Sequence, residues 1–131
     1  MRAAGVQELL LPGYVEGAQQ FLSGLHLYLQ PSRSEGFGNG VHEAMVAALP
    51  VLASAVGDLR YNITDEVNGL VVPPENEVAL ADALQRLLSR PERLEGMGKA
   101  ARSFVFENFS QQRFEDSGAE LFRRMQASAT R

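Results

Sequence analysis

Short apolar runs alternate with longer amphipathic segments in the first half of the chain, and the second half is amphipathic throughout. The apolar runs, each bounded on at least one side by Gly or Pro, predict short strands over 6–11, 25–29, 51–53 and 69–72. The segments between them contain helix formers and predict helices over 16–23 and 40–48. This alternation is typical of β-α units around a parallel sheet, so we expect an α/β fold with flanking helices.

Three amphipathic helices are expected in the second half, and each begins at a residue suited to a helix start. Asn76 and Ser110 suit N-cap positions, and Pro91 suits the first turn. The last helix is expected over 110–131. The apolar stripes of the three helices are Leu80, Leu84, Leu87 and Leu88, then Leu94, Met97, Ala101, Phe104 and Val105, and finally Phe114, Leu121, Phe122 and Met125. Stripes of this kind form core or docking surface, so we expect no chemistry from them.

Composition limits the chain to one domain, since 131 residues with 45% hydrophobic content suit a single core. The absence of Cys excludes disulfides, thiolate nucleophiles and cysteine zinc sites, and the two His residues make no metal cluster. A net charge of −4 argues against a general nucleic-acid or anionic-membrane surface. The N-terminal sequence has the pattern of neither a signal peptide nor a membrane span. We therefore expect a cytoplasmic protein, or one peripheral to a membrane within a longer parent, with no nucleic-acid partner.

The segment over 31–45 combines a strand end, a glycine-rich loop and a helix start. Gly36, Gly38 and Gly40 allow a left-handed backbone and a close approach by a ligand. The first N–H groups of the following helix have no partner within that helix and lie at the positive end of its dipole. Such a turn suits a phosphate or diphosphate. Glycines at this spacing also occur in plain tight turns, so that alternative stays open.

Two carboxylates flank the glycine-rich loop. Glu35 precedes it, and Glu43 lies in the helix that follows. An ionised carboxylate can accept hydrogen bonds from both hydroxyls of a vicinal diol, so the pair could hold two polyols on either side of a phosphate. That arrangement describes a nucleotide sugar. The alternatives are two solvated surface charges, or the acid and base of a glycosidase, although the spacing does not indicate two carboxyls facing across one bond.

Several motifs then occur in one order along the chain: SEGFG at 34–38, EAM at 43–45, LPV at 49–51, VG at 56–57 and NGLVVPP at 68–74. Together they resemble the C-terminal part of group 1 (family 4) retaining glycosyltransferases of the GT-B fold. The Glu-x7-Glu signature of that family falls on Glu35 and Glu43. The resemblance covers nearly the whole chain, which implies that residues 1–131 form one partial C-terminal, nucleotide-sugar-binding domain with a Rossmann-like parallel sheet.

The resemblance implies transfer of a sugar from a nucleoside diphosphate sugar to an acceptor, with retention of the anomeric configuration. Glu35 would be the catalytic residue near the hydroxyls of the transferred sugar, and Glu43 would hold the ribose. Arg33 is a candidate phosphate contact, and His42, which faces away from Glu43 on a helix, is not expected to act as a base. The donor would also contact the turn at Gly36, Phe37, Gly38, Asn39 and Gly40. The family implies no cofactor and no obligatory metal.

Five positions depart from the usual pattern of this family. Ala48 and Glu66 stand where the family favours Gly. His26 stands where it favours Asp, and Tyr61 stands where it has an acidic residue. Asp58 stands where the second residue of a Gly-Gly pair is usual, so its charge would lie close to a diphosphate.

Parts of the family's usual domains have no counterpart in this sequence, namely the N-terminal acceptor domain, an Arg/Lys pair for the donor phosphates and the first central strands. We therefore expect the donor-binding half of an enzyme whose acceptor is a sugar, lipid or protein, and we expect the isolated chain to be inactive. An open sheet edge is expected as well, and through it a homodimer. The alternative is a non-catalytic Rossmann-like nucleotide-binding or interaction module. Nucleotide titration would distinguish this module from the donor-binding half of an enzyme.

Overall fold

The computed structural model describes residues 10–129, and the elements and contacts given below belong to this part of the chain. It contains three strands, namely β1 (Tyr28–Gln30), β2 (Val51–Ser54) and β3 (Gly69–Val72). Its helices are α1 (Ala18–Ser23), α2 (Asn39–Val46), α3 (Leu59–Asn62), α4 (Glu77–Leu88), α5 (Pro91–Asn108) and α6 (Gln111–Ala129). Strands thus alternate with helices up to β3 and only helices follow, as the hydrophobic pattern predicts.

The three strands form one parallel sheet in the order β1-β2-β3. Leu52 of β2 lies opposite Leu29 of β1 and Leu70 of β3, and all four residues of β2 are buried. Because the strands are parallel, their carboxyl ends meet at one edge of the sheet, which is where ligands bind in open α/β sheets. The expected α/β fold with a Rossmann-like parallel sheet is confirmed.

Helices pack on both faces of the sheet, and successive residues of β2 point into two separate cores. Val51 and Ala53 enter the first core, which also contains Val41, Met45, Leu59 and Ala101. Leu52 enters the second core, which also contains Leu70, Val72, Leu87 and Met97. Burial of each large apolar side chain contributes about 1.5–3 kcal/mol. The first core therefore fixes the position of α2, the helix that begins at the glycine-rich turn.

The structure differs from the sequence prediction in strand β1, in helix α3 and at residues 10 and 11. Strand β1 begins at Tyr28, later than expected, because its pairing starts where the Tyr28 N–H donates to the Pro50 carbonyl oxygen at 3.1 Å. The short helix α3 is absent from the prediction, since four residues are too few for a periodic pattern. Most of the strand expected over 6–11 lies outside the described residues, and its last two residues, Leu10 and Leu11, are exposed and not in a strand.

Helices α4 and α5 begin where their starting residues predict. The Asn76 side chain accepts the N–H of Ala79 at 2.9 Å, and Pro91 is the first residue of α5. Leu87 is buried, which suits the core, whereas Leu88 is 57% exposed, so of the two roles expected for the stripe a core role is wrong for Leu88. On a helix Leu88 lies about 100° around from Leu87, at the border of the apolar stripe.

The apolar stripe of α6 is exposed, although its helix forms as expected with Ser110 at the start. The Ser110 Oγ accepts the N–H of Arg113 at 3.2 Å. The stripe residues are between 60% and 80% exposed, namely Phe114, Leu121, Phe122 and Met125. A core role is therefore wrong for this stripe, and a docking role stays a prediction. Although α6 has 19 residues, neither it nor another helix of the described part is apolar enough to cross a membrane.

Two departures from the family pattern coincide with a left-handed backbone. Ala48 has a φ of 59° and Glu66 has a φ of 61°. Ala48 follows α2 and donates its N–H to the Met45 carbonyl oxygen at 2.9 Å, and Leu49 donates to the Ala44 carbonyl oxygen at 3.0 Å. These two bonds form a Schellman motif, in which Gly is the usual residue at the left-handed position. A left-handed backbone costs a residue with a side chain about 1–2 kcal/mol, so Gly at these two positions would meet a backbone requirement.

Candidate functional site

The turn between β1 and α2 lies at the carboxyl edge of the sheet. Gly38 is the N-cap of α2 and has a left-handed backbone with a φ of 77°. The backbone N–H groups of residues 36–40 donate no hydrogen bond to any residue within 10–129. Because these donors are grouped at the positive end of a helix dipole, the turn can receive an anionic group.

Gly57, in the loop after β2, holds this turn in place. Its φ is 54°, and a Cβ at this position would lie 2.3 Å from the carbonyl oxygens of both Glu35 and Gly36. The next residue, Asp58, donates its N–H to the Gly36 carbonyl oxygen at 3.1 Å. Asp58 therefore lies beside the turn, as the resemblance implies. The sequence marks Gly57 only as a motif position and carries no signal for its contact with the turn.

Glu35 is held by two side chains from the end of β1 and the loop after it. The Ser32 Oγ donates to Glu35 Oε1 at 2.7 Å, and the Gln30 Nε2 donates to the same oxygen. These two hydrogen bonds hold the pKa of Glu35 below its ordinary value, and the bond from Ser32 has the larger effect. Glu35 is therefore ionised at neutral pH. No donor within residues 10–129 bonds to its Oε2, so that oxygen can accept a ligand hydroxyl.

Tyr28 begins a row of hydrogen bonds that ends at Glu35. Its hydroxyl donates to Gln30 Oε1 at 2.8 Å, and the amide nitrogen of Gln30 donates to Glu35. Burial raises the pKa of Tyr28, and the negative charges of Glu43 and Glu35 raise it further. The negative charges of both carboxylates therefore act on Tyr28, which stays protonated. Neither strand residue is predicted to belong to a site, and their only signal in the sequence is the i, i+2 spacing, which puts them on one face.

Three further predicted site residues, Arg33, Asn39 and Glu43, are exposed. Glu43 and Asn39 lie on α2. The Arg33 side chain is 86% exposed, and its Nε lies 3.3 Å from Glu75 Oε1. Exposed ion pairs of this kind contribute little to stability, so this one leaves Arg33 able to change partners. The role of Arg33 as a phosphate contact stays a prediction.

Phe37 and His42 support the turn from its other side. Their rings stack with centroids 4.2 Å apart and planes 8° from parallel, and Phe109 meets both edge-on. His42 is buried, with Nδ1 3.0 Å from the Gly38 carbonyl oxygen and Nε2 3.1 Å from Asn62 Nδ2. Because a carbonyl oxygen only accepts, Nδ1 carries the proton and Nε2 accepts from Asn62. Both ring nitrogens are thus engaged within the protein.

A cavity of about 360 Å³ opens at the same edge of the sheet. It is lined by Pro31 after β1, by Ser54 at the end of β2, by Pro73 after β3, and by the start of α4. Within residues 10–129, no three His, Asp or Glu side chains are grouped to hold a metal ion. The polar groups that face this edge are therefore backbone N–H groups and individual side chains.

The parallel sheet, the turn with grouped N–H donors at its carboxyl edge and the flanking carboxylate define a Rossmann-like α/β domain with a candidate ligand site in the usual place. Residues 1–90 match the family described as Glycosyl transferases group 1, and the chain belongs to this family. The match confirms the family that the Glu35 and Glu43 motifs indicate.

Relatives with known names or structures agree with this assignment. D-inositol 3-phosphate glycosyltransferase from Saccharomonospora viridis is 37% identical over 98 residues, which cover 75% of this chain and 22% of the relative. Sucrose-phosphate synthase from Thermosynechococcus elongatus superposes with a TM-score of 0.70 at 36% identity, over 82% of this chain and 27% of that one. An Anabaena protein solved in complex with UDP shares the fold, with a TM-score of 0.72 at 22% identity, over 80% and 29%. The chain thus spans less than a third of the length of each.

Proposed function

We propose that this chain is the donor-binding half of a retaining group 1 glycosyltransferase, which takes a sugar from a nucleoside diphosphate sugar. The row of N–H groups at residues 36–40, next to the ionised Glu35, is the observation that carries the proposal. A diphosphate suits this row because its charge is spread over several oxygens. The acceptor, a sugar, lipid or protein, would bind to a further domain of a longer parent.

The two carboxylates take different parts of the donor in this proposal. Glu35 accepts a hydroxyl of the transferred sugar at Oε2, and Glu43 accepts the ribose hydroxyls. When the bond between the anomeric carbon and the diphosphate breaks, the electron pair leaves with the diphosphate. The N–H groups of the turn stabilise the charge that develops there, which is electrostatic catalysis of the oxyanion-hole kind. The isolated chain is expected to bind the donor without turnover, because closure over a second domain is what would exclude water.

Calorimetric titration with UDP, GDP, ADP and UDP-glucose tests the proposal. UDP comes first because an Anabaena protein of the same fold was solved with it. Glu43→Gln is expected to weaken nucleotide binding at least about fivefold, since charge-assisted hydrogen bonds to the ribose are lost. Glu92→Gln is the matched control, because Glu92 is also exposed and lies in the first turn of α5, at the opposite end of that helix from Phe109, which contacts Phe37.

If none of the nucleotides binds, the proposal fails and the alternative of a non-catalytic Rossmann-like interaction module is favoured. The exposed stripe of α6 would then be its contact surface. If nucleotides bind equally well to Glu43→Gln and to the control, the role of Glu43 is refuted while the donor site stands.

The proposal also covers metal dependence, assembly and setting. Donor binding is proposed to need no cofactor or metal, so excess EDTA should leave the UDP affinity unchanged.

Strand β1 forms one edge of the sheet in the described part, and pairing of two such edges would give a homodimer. Light scattering that shows a monomer at every concentration would refute the dimer. A cytoplasmic setting is proposed because it suits a chain without Cys.

A further inference from the structure

The hydrogen bonds from Tyr28 through Gln30 to Glu35 can run in only one direction. An ionised carboxylate accepts hydrogen bonds and cannot donate them, so Gln30 presents its amide nitrogen to Glu35. Its amide oxygen then faces Tyr28, whose hydroxyl must donate, as the 2.8 Å contact shows. The raised pKa of Tyr28 keeps that proton in place. Each group therefore fixes the orientation of the next.

Tyr28, the first group in this row, lies against the first turn of helix α2. A Cβ at Gly40 would lie 2.6 Å from the Tyr28 hydroxyl oxygen, so the missing side chain at Gly40 makes room for the hydroxyl. The Tyr28 ring is partly buried and packs against the first core. The row thus starts at the first turn of the helix that supplies the N–H donors, and it ends at the carboxylate beside them.

The last group in this row is held at one oxygen only. Gln30 and Ser32 both donate to Glu35 Oε1, and no donor within residues 10–129 bonds to Oε2. A carboxylate held at one oxygen from two directions cannot turn freely about its terminal torsion. The direction in which Oε2 points is therefore set by the two donors together.

We propose that Gln30, oriented by Tyr28, is a positioning residue that directs Glu35 Oε2 toward the transferred sugar. This inference rests on the proposed donor site, in which Glu35 contacts the sugar and Glu43 contacts the nucleotide. Gln30 itself does not contact the donor. Loss of its N–H therefore weakens the binding of a nucleotide sugar and leaves the binding of the nucleoside diphosphate unchanged.

Gln30→Met tests the inference, because Met has a similar length and no N–H to donate. Leu29→Met is the matched control, since Leu29 is the neighbouring residue of β1, is 39% exposed and takes no part in the row. Calorimetry would compare UDP with UDP-glucose, and carbon-13 NMR would follow the titration of the Glu35 carboxyl. In Gln30→Met the affinity for UDP-glucose relative to UDP should fall about fivefold, because the hydrogen bond from the sugar to the misdirected Glu35 Oε2 is weakened. The pKa of Glu35 should rise, because one of its two hydrogen bonds is lost.

Tyr28→Phe provides a second route, since it removes only the hydroxyl that orients Gln30. It should lower the same affinity ratio by a smaller factor, and it carries the test if circular dichroism shows that Gln30→Met does not fold. An unchanged ratio, or an unchanged pKa of Glu35, in a folded variant that still binds UDP overturns the inference and leaves the donor site standing. If the unaltered chain binds none of UDP, GDP and ADP, the proposed function fails and the inference fails with it.

Discussion

The backbone of Gly57 lies so close to the carbonyl oxygen of Gly36 that no side chain would fit between them. This contact joins the loop after β2 to the turn after β1, at the carboxyl edge of the sheet. The Asp58 N–H adds a hydrogen bond to the same oxygen. The placement of the N–H donors at residues 36–40 therefore depends on a residue outside the turn.

Gly57→Ala is expected to displace the turn. The new Cβ would meet two carbonyl oxygens at 2.3 Å in a backbone with a φ of 54°. We expect the free energy of unfolding to fall by about 2 kcal/mol or more and the UDP affinity to fall at least about tenfold. Thermal unfolding and calorimetry measure the two effects.

Gly96→Ala is the control for that substitution. Gly96 lies within α5, and a Cβ there would meet nothing within 4 Å. Replacement of an exposed helical Gly by Ala should stabilise the chain by about 0.5–1 kcal/mol without changing UDP binding. If both variants behave alike, the contact between Gly57 and Gly36 does not hold the turn.

Ala48→Gly is expected to raise the free energy of unfolding by about 1 kcal/mol, because Ala48 occupies the left-handed position of the Schellman motif. Glu66→Gly should raise the free energy of unfolding by a smaller amount. The Glu66 carboxylate lies 3.0 Å from Arg86 Nε and 2.8 Å from Arg93 Nη1, and both pairs would be lost. Urea unfolding of the two variants gives the comparison, and a larger gain at Glu66 would contradict it.

The contribution of Glu35 to sugar binding should persist as the pH is lowered to about 4.5. The pKa of Glu35 lies below its ordinary value of 4.5, because Ser32 and Gln30 stabilise the ionised form. For a lowered carboxyl pKa, the contribution of the ionised form is complete above pH 4.5 and is lost as the pH falls through the lower, folded-state pKa. The UDP-glucose affinity of the unaltered chain, taken relative to that of Glu35→Gln, should therefore be constant down to about pH 4.5 and fall only below it.

Ser32→Ala should move this loss to higher pH, because it removes the hydrogen bond that lowers the pKa of Glu35 most. Glu35→Gln is the reference, because a ratio to UDP would also follow the terminal phosphate of UDP, whose second pKa is about 6. A series of titrations over the acid range checks both expectations, and a ratio that already falls near neutral pH would contradict them.

His42→Phe should keep the ring stack on Phe37 and lose both hydrogen bonds of the imidazole. We expect a loss of about 1–3 kcal/mol in the free energy of unfolding, because two hydrogen bonds are lost and Asn62 Nδ2 is left without its acceptor. UDP affinity should fall several-fold as the turn loosens. The control is His26→Phe, since His26 is exposed before β1. Equal thermal stability of the two variants would argue against support of the turn by His42.

The sequence predicts local geometry well where the residue types report it directly. β3 has the bounds that its flanking Asn, Gly and Pro predict, and the glycine-rich turn lies where the strand ends. The contact of Gly57 with the turn and the row from Tyr28 to Glu35 could not be predicted in this way. They depend on how separate elements pack, and no spacing along the chain encodes a distance between two loops.

The stripe of α6 shows a different kind of failure. Its period correctly predicts a helix, and Ser110 correctly marks its start. The period reports that one face is apolar, but it carries no information about what covers that face. Phe114 and Leu121 are therefore exposed at positions where the pattern alone would equally suit a core.

This exposed face also decides how unfolding of the isolated chain can be followed. Dyes such as ANS bind accessible apolar surface, so they should fluoresce before the chain unfolds and hide the melting transition. The chain has no Trp, which leaves only weak tyrosine emission as an intrinsic probe. Far-ultraviolet circular dichroism avoids both problems, because its signal comes from the helices. Fraying of α6 should then appear as a sloping baseline, and the cooperative step should report the sheet and the helices packed on it.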